Sequence, residues 1–168
     1  MSSLRGEEAL KDGLSFEFTW TARHLLEVME ERAQAITLGG LPGESGVDFR
    51  LHFEDHEEHH QVKRAFGSKG DWTLAALDSE KVLPDFKQRL VDPKVHCYMV
   101  SGIPAVQLGY LANRARKSVD FSTFESDYLT SEYPEWFNGL VQRWGLPREE
   151  CWLRLQRVYT RPFDERDQ

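Results

Sequence analysis

Residues 46–64 read Gly46-Val-Asp-Phe-Arg-Leu-His-Phe53, then Glu54-Asp-His-Glu-Glu-His-His60, then Gln61-Val-Lys-Arg64. Val47, Phe49, Leu51 and Phe53 are apolar at every second position, the period of a half-buried strand. Asp48, Arg50 and His52 therefore share the opposite face, and Asp48 is expected to be held out of the core. A charged, hairpin-like connection leads to a second strand with His60, Val62 and Arg64 on one face and Gln61 and Lys63 on the other. Asp48 on one strand facing Gln61 and Lys63 on the next brings together a carboxylate, a neutral oxygen and a cation.

Working outward, residues 1–14 lack periodicity and form a lead-in. From Ser15 to about Ala35, Phe18, Ala22, Leu25, Met29 and Ala33 recur every three or four residues and predict a helix buried along that stripe. Its Glu17, Glu27, Glu30 and Glu31 are expected to be mainly solvated charges. Ala35 to Leu38 has the length of a strand, and the turn-rich residues 39–46 follow it. Glu44 in that turn is a candidate second acid near the site, with plain exposure the favoured reading. Trp72 reads as a core anchor. Val82, Leu83, Phe86 and Leu90 predict a helix from Asp78 to Leu90, and Val95 to Val100 reads as a strand covered on both faces.

A helix with Val106, Leu108, Leu111, Ala112 and Ala115 comes next, ending in Arg114, Arg116 and Lys117. Ser122 and Glu125 suggest a capping box. Trp136, Phe137, Leu140, Val141 and Trp144 form a helical stripe stopped by Gly145, and Pro147 opens a last helix carrying Trp152, Leu155 and Val158. The order of helix, strands, helix, strand and helix is that of an α/β layered fold: a mixed central sheet flanked by helices, with extra C-terminal helices.

At 168 residues the chain fits one domain. Residues 15–158 are assigned to it, and 159–168 to a tail or the start of a linker. With 40% hydrophobic and 29% charged residues the composition is that of an ordinary globular protein. No apolar run approaches the ~20 residues of a membrane span, and the polar N-terminus is unlike a signal peptide, so a cytoplasmic location is expected. Cys97 and Cys151 read as two buried thiols. The net charge of -7 opposes tight binding of one copy to DNA, because such binding draws on several Lys or Arg contacts to phosphate.

Asp48 with Gln61-Val62-Lys63 resembles the PD-(D/E)xK nuclease signature, in a branch where Gln replaces the usual acid. The resemblance extends to Phe18-Thr-Trp-Thr-Ala-Arg-His-Leu-Leu-Glu-Val-Met29, Gly70-Asp-Trp-Thr73, His96-Cys-Tyr-Met-Val-Ser101 and Leu111-Ala-Asn-Arg-Ala-Arg116. Together these are similar to the nuclease domain fused to SAVED cyclic-nucleotide sensors in CBASS defence, and to the N-terminal effector of antiviral STAND NTPases (AVAST).

The resemblance implies a restriction-endonuclease-like core and a metal-dependent endonuclease acting on double-stranded DNA, an effector of bacterial antiphage defence. It implies a homo-oligomer gathered by a fused or associated sensor, and Mg²⁺ or Mn²⁺ as the ion. On that reading Asp48, Gln61 and Lys63 are catalytic. Asp48, the Gln61 side-chain oxygen and the Val62 carbonyl hold the metal, while Lys63 positions the attacking hydroxide. Lys69, Arg114, Arg116 and Lys117 are candidate DNA contacts; the last three equally suit the negative end of a helix dipole.

Two other readings compete. His56-Glu-Glu-His-His60 satisfies H-E-x-x-H, but zinc-protease chemistry needs both histidines on one face of a helix, whereas this segment runs directly into a strand. Residues 95–109 also resemble, faintly, a SAVED-type sensor, which implies binding of a cyclic oligonucleotide without catalysis.

Overall fold

The computed structural model describes residues 18–39, 46–63 and 70–162. The expectations placed on residues 1–14, Glu17, Glu44, Arg64 and Lys69, and on the tail past Pro162, lie outside these. Five strands form one mixed sheet in the order β1 (Ala35–Leu38), β2 (Phe49–His52), β3 (Glu57–Lys63), β4 (Val95–Ser101), β5 (Val158–Pro162). The first three are antiparallel neighbours, whereas β4 runs parallel to β3 and β5 parallel to β4. Parallel pairing requires a crossover. Helices α2 (Leu74–Ser79) and α3 (Val82–Arg89) supply the first.

The second crossover holds α4 (Val106–Lys117), the short α5 (Phe121–Thr123) with a π-helical turn at Phe124–Tyr128, α6 (Tyr133–Trp144) and α7 (Arg148–Leu155). The protein is thus mixed α/β with its sheet flanked by helices.

The alternation read in residues 47–53 holds: Val47, Phe49 and Leu51 are buried. Phe49 and Leu51 form a small core with Val62, Val100 and Trp20 of the first helix, α1 (18–29). The main core lies on the other face, where Cys97, Met99 and Val158 meet Leu83, Phe86, Leu108, Phe137 and Leu155. A fully buried side chain of this kind contributes about 1.5–3 kcal/mol. Both cysteines are buried and unbridged. Trp72 is also buried, its indole N–H donating to Ser101 Oγ at 2.8 Å.

Several expectations are corrected. α1 ends at residue 29 rather than near Ala35, and its apolar stripe faces outward: Phe18, Leu25 and Met29 are exposed, while Trp20 is buried. The sheet beneath offers aromatic and imidazole rings, and Trp20 and His24 pack on these in place of the stripe. The helix expected from Asp78 to Leu90 is two helices, parted at Glu80 and Lys81, the latter with a left-handed φ of 66°. Asp120, not Ser122, caps α5 by accepting from Thr123 N–H at 2.7 Å. Val158 begins a strand, and β5 carries the sheet to Pro162, past the boundary expected after residue 158.

Candidate active site

The antiparallel register pairs Phe49 with His60, which puts Asp48 across from Gln61 at the open end of β2 and β3. Asp48 N–H donates to His60 O at 2.9 Å, and Val62 N–H donates to Asp48 Oδ2 at 2.5 Å. One bond fixes the Asp48 backbone and the other its carboxylate before any ligand is considered. Val62 turns its side chain to the small core, so Gln61 and Lys63 must point to the opposite face with Asp48.

That face is not open, contrary to the expectation that Asp48 stands clear of the interior. Arg50, His59 and Gln61 are almost fully buried there, and Asp48 is half-buried. α3 brings Asp85 and Arg89 against them, paired with each other at 3.8 Å. A Cβ on Gly46 would lie 2.1 Å from Asp85 Oδ2 and 2.5 Å from Gln61 Nε2, so Asp85, Gln61 and the Gly46 backbone meet at one point.

Gln61 is 2% exposed, and among the described residues its Oε1 accepts no hydrogen bond. A buried carbonyl oxygen without a donor is costly, and an ion or water there would remove the cost. Lys63 remains accessible. Its Nζ donates to Glu80 O at 3.3 Å and lies 4.0 Å from Glu80 Oε2. Burial raises the Asp48 carboxyl above the usual aspartate range, against the opposing pull of Val62 N–H, Lys63 and Arg89. Its donors are therefore arranged to favour the ionised form that burial disfavours.

Asp85 and Arg89 were not singled out in the sequence, yet a signal exists. Residues 82, 85 and 89 share a helix face with the apolar stripe of α3, so a charged pair there is directed inward.

The remaining candidates do not join this cluster. Arg114 donates to Tyr128 O and covers the Tyr133 ring at 3.7 Å. Arg116 donates to Val158 O and lies 4.4 Å from the Tyr159 ring centroid. With Lys117 they occupy the last turn of α4, whose 12 residues extend about 18 Å from the turn that follows Ser101. His56 and His60 are not on a helix: His60 is inside β3 and His56 just before it. Both rings lean on the Glu58 carboxylate, His60 Nε2 at 3.1 Å and His56 Nε2 at 3.8 Å, and do not form the one-faced helical pair that H-E-x-x-H zinc chemistry needs.

The opposite face carries an aromatic ladder across four strands. Phe49, His60, Tyr98 and Tyr159 stack in register with centroids 4.4, 4.5 and 4.6 Å apart. Trp20 Nε1–H donates to His60 Nδ1, leaving Nε2–H to donate to Glu58, which also accepts from Tyr98. Burial pushes His60 below the usual histidine range, and this network fixes it as the neutral Nε2–H tautomer. Among the described residues no group of three or more His, Cys, Asp or Glu converges as a metal cage. Asp48, Gln61 and the Val62 carbonyl are an all-oxygen set, of the kind that suits a hard divalent cation. No family model matches the chain, and no curated protein or solved structure is significantly similar to it.

Proposed function

We propose that the protein is a metal-dependent endonuclease of the PD-(D/E)xK kind, acting on double-stranded DNA as an antiphage effector. The observation that carries this reading is the Oε1 of buried Gln61, which has no hydrogen-bond donor among the described residues, on the same sheet face as the fixed Asp48 carboxylate and the accessible Lys63. The element order, a helix, three antiparallel strands, a helical crossover and a parallel strand, is consistent with a restriction-endonuclease-like core and supports the same reading.

Asp48, Gln61 Oε1 and the Val62 carbonyl would hold Mg²⁺ or Mn²⁺. The bound ion supplies charge neutralisation at the phosphate and a more acidic water. Asp48 and Lys63 are the partly exposed members, so a phosphate approaches from their side while Gln61 lies beneath. The Lys63 ammonium stabilises an attacking hydroxide and the charge that grows on the phosphate oxygens. Asp48 acts as the carboxylate, and Val62 N–H keeps its Oδ2 oriented. One copy at a net charge of -7 gains little from phosphate attraction, so activity rises when a fused or associated sensor gathers several copies on one duplex.

The test is conversion of supercoiled plasmid to nicked and linear forms with Mg²⁺, Mn²⁺ or EDTA, comparing the protein with Asp48→Asn. Cutting that needs a divalent ion and disappears in a folded Asp48→Asn protein is expected. Metal-independent cutting, or cutting retained by Asp48→Asn, overturns the assignment.

A further inference from the structure

A groove of about 490 Å³ runs between α4 and the edge strand β5, away from the Asp48 cluster. Its wall is the α4 face that carries Tyr110, Asn113 and Arg116, and its far side holds Tyr159 and Arg161. Gly109 sets its floor: a Cβ there would lie 2.6 Å from Thr160 Oγ1, so only glycine lets the helix approach the strand this closely.

The lining is unusual for a protein of net charge -7, because it has two arginines and no carboxylate. The two arginines differ. Arg116 is held in place by Val158 O and the Tyr159 ring. Arg161 is exposed and, among the described residues, has no hydrogen-bond or ion-pair partner; neither does the Asn113 side chain or the Tyr110 hydroxyl. Both faces of Tyr159 are engaged, by Tyr98 and by Arg116; Tyr110 has Tyr133 and the Arg114 guanidinium 6.0 and 5.4 Å from its ring centre, yet is 48% exposed and so keeps ring surface open to the groove.

We propose that this groove binds a nucleotide unit, its phosphate held by Arg161 and Arg116 and its base stacked on Tyr110 within reach of the Asn113 amide. Guanidinium groups match phosphate geometry, and an accessible aromatic ring accepts any base. An open groove at a sheet edge accommodates one nucleotide of a strand as readily as a free nucleotide, and the chemistry of recognition is the same.

The inference does not depend on cleavage. Binding is measured in EDTA at low salt, with fluorescein-labelled single-stranded oligo-dT, thymidine monophosphate and inorganic phosphate as separate probes. The full protein is compared with Arg161→Ala and Tyr110→Ala after circular dichroism has shown that both variants fold. Arg161→Ala should weaken oligo-dT binding about tenfold and flatten its log–log salt dependence by about 0.7. Tyr110→Ala should weaken it by a similar factor without changing that slope. Thymidine monophosphate binding as tightly as oligo-dT identifies a free nucleotide as the ligand, and much tighter oligo-dT binding identifies a strand. No binding of either, affinities unchanged in both variants, or phosphate binding alone with indifference to Tyr110→Ala overturns the proposal.

Discussion

Gly46→Ala perturbs the candidate site from its backbone, and Gly39→Ala separates the two causes of its expected cost. Both glycines have left-handed φ, 69° and 76°. An alanine at either pays about 1–2 kcal/mol for that conformation. Lower entropy of the unfolded chain returns about 0.4–1 kcal/mol at each. Here the two diverge. A Cβ at Gly39 meets nothing within 4 Å, while at Gly46 it lies 2.1 Å from Asp85 Oδ2 and 2.5 Å from Gln61 Nε2. These side chains are buried and cannot swing clear, so overpacking adds about 1–3 kcal/mol at Gly46 alone. A domain of this size loses about 2–4 °C in melting temperature per kcal/mol. Gly39→Ala should therefore melt about 0–6 °C below the parent, and Gly46→Ala about 2–12 °C lower again. Differential scanning calorimetry of the three proteins measures both steps, and plasmid cutting should fall only in Gly46→Ala. Equal melting temperatures for the two variants would refute the crowding of Asp85 and Gln61 around Gly46.

Two further perturbations test the chemistry and its setting. Lys63→Ala removes a partly exposed side chain whose hydrogen-bond and ion-pair partner among the described residues is Glu80, so stability should change by less than about 1 kcal/mol. Cutting should fall by roughly 10²–10³-fold, as for loss of one preorganised transition-state donor; comparable losses of melting temperature and activity would assign Lys63 a structural role instead. Burial lowers His59 and His60, so their stabilising contribution is complete above the unfolded histidine value near ~6.5 and is lost as pH falls below it. Each contributes up to about 1.4 kcal/mol per pH unit in that window. Asp48, raised by burial, acts oppositely, but in the carboxylate range. The melting temperature should drop by several degrees between pH 7.5 and 5.5, and less in His60→Gln; a flat profile contradicts the neutral, buried assignment.

The parity of Asp48, Gln61 and Lys63 was legible in the sequence, because alternation along a strand follows from backbone geometry alone. Leu108, Leu111, Ala112 and Ala115 were equally legible, being the apolar face of a helix that packs on a large core. The inward direction of Asp85 and Arg89 had a local signal in helical spacing, but their approach to Gln61 arises only when α3 crosses beneath β2 and β3.

α1 shows what periodicity cannot supply. Phe18, Leu25 and Met29 make the stronger apolar stripe, yet the sheet buries Trp20, which donates to His60, and takes His24 against the Phe49 and His60 rings. The strand pattern by itself determined which residues share the candidate site; the burial of Gln61, the direction of α1 and the groove beside β5 were decided by the tertiary structure. Strand alternation is fixed within a few bonds. Which helix face is buried depends on the surface it meets, and that surface is built from β2, β3 and β4, residues distant in the chain.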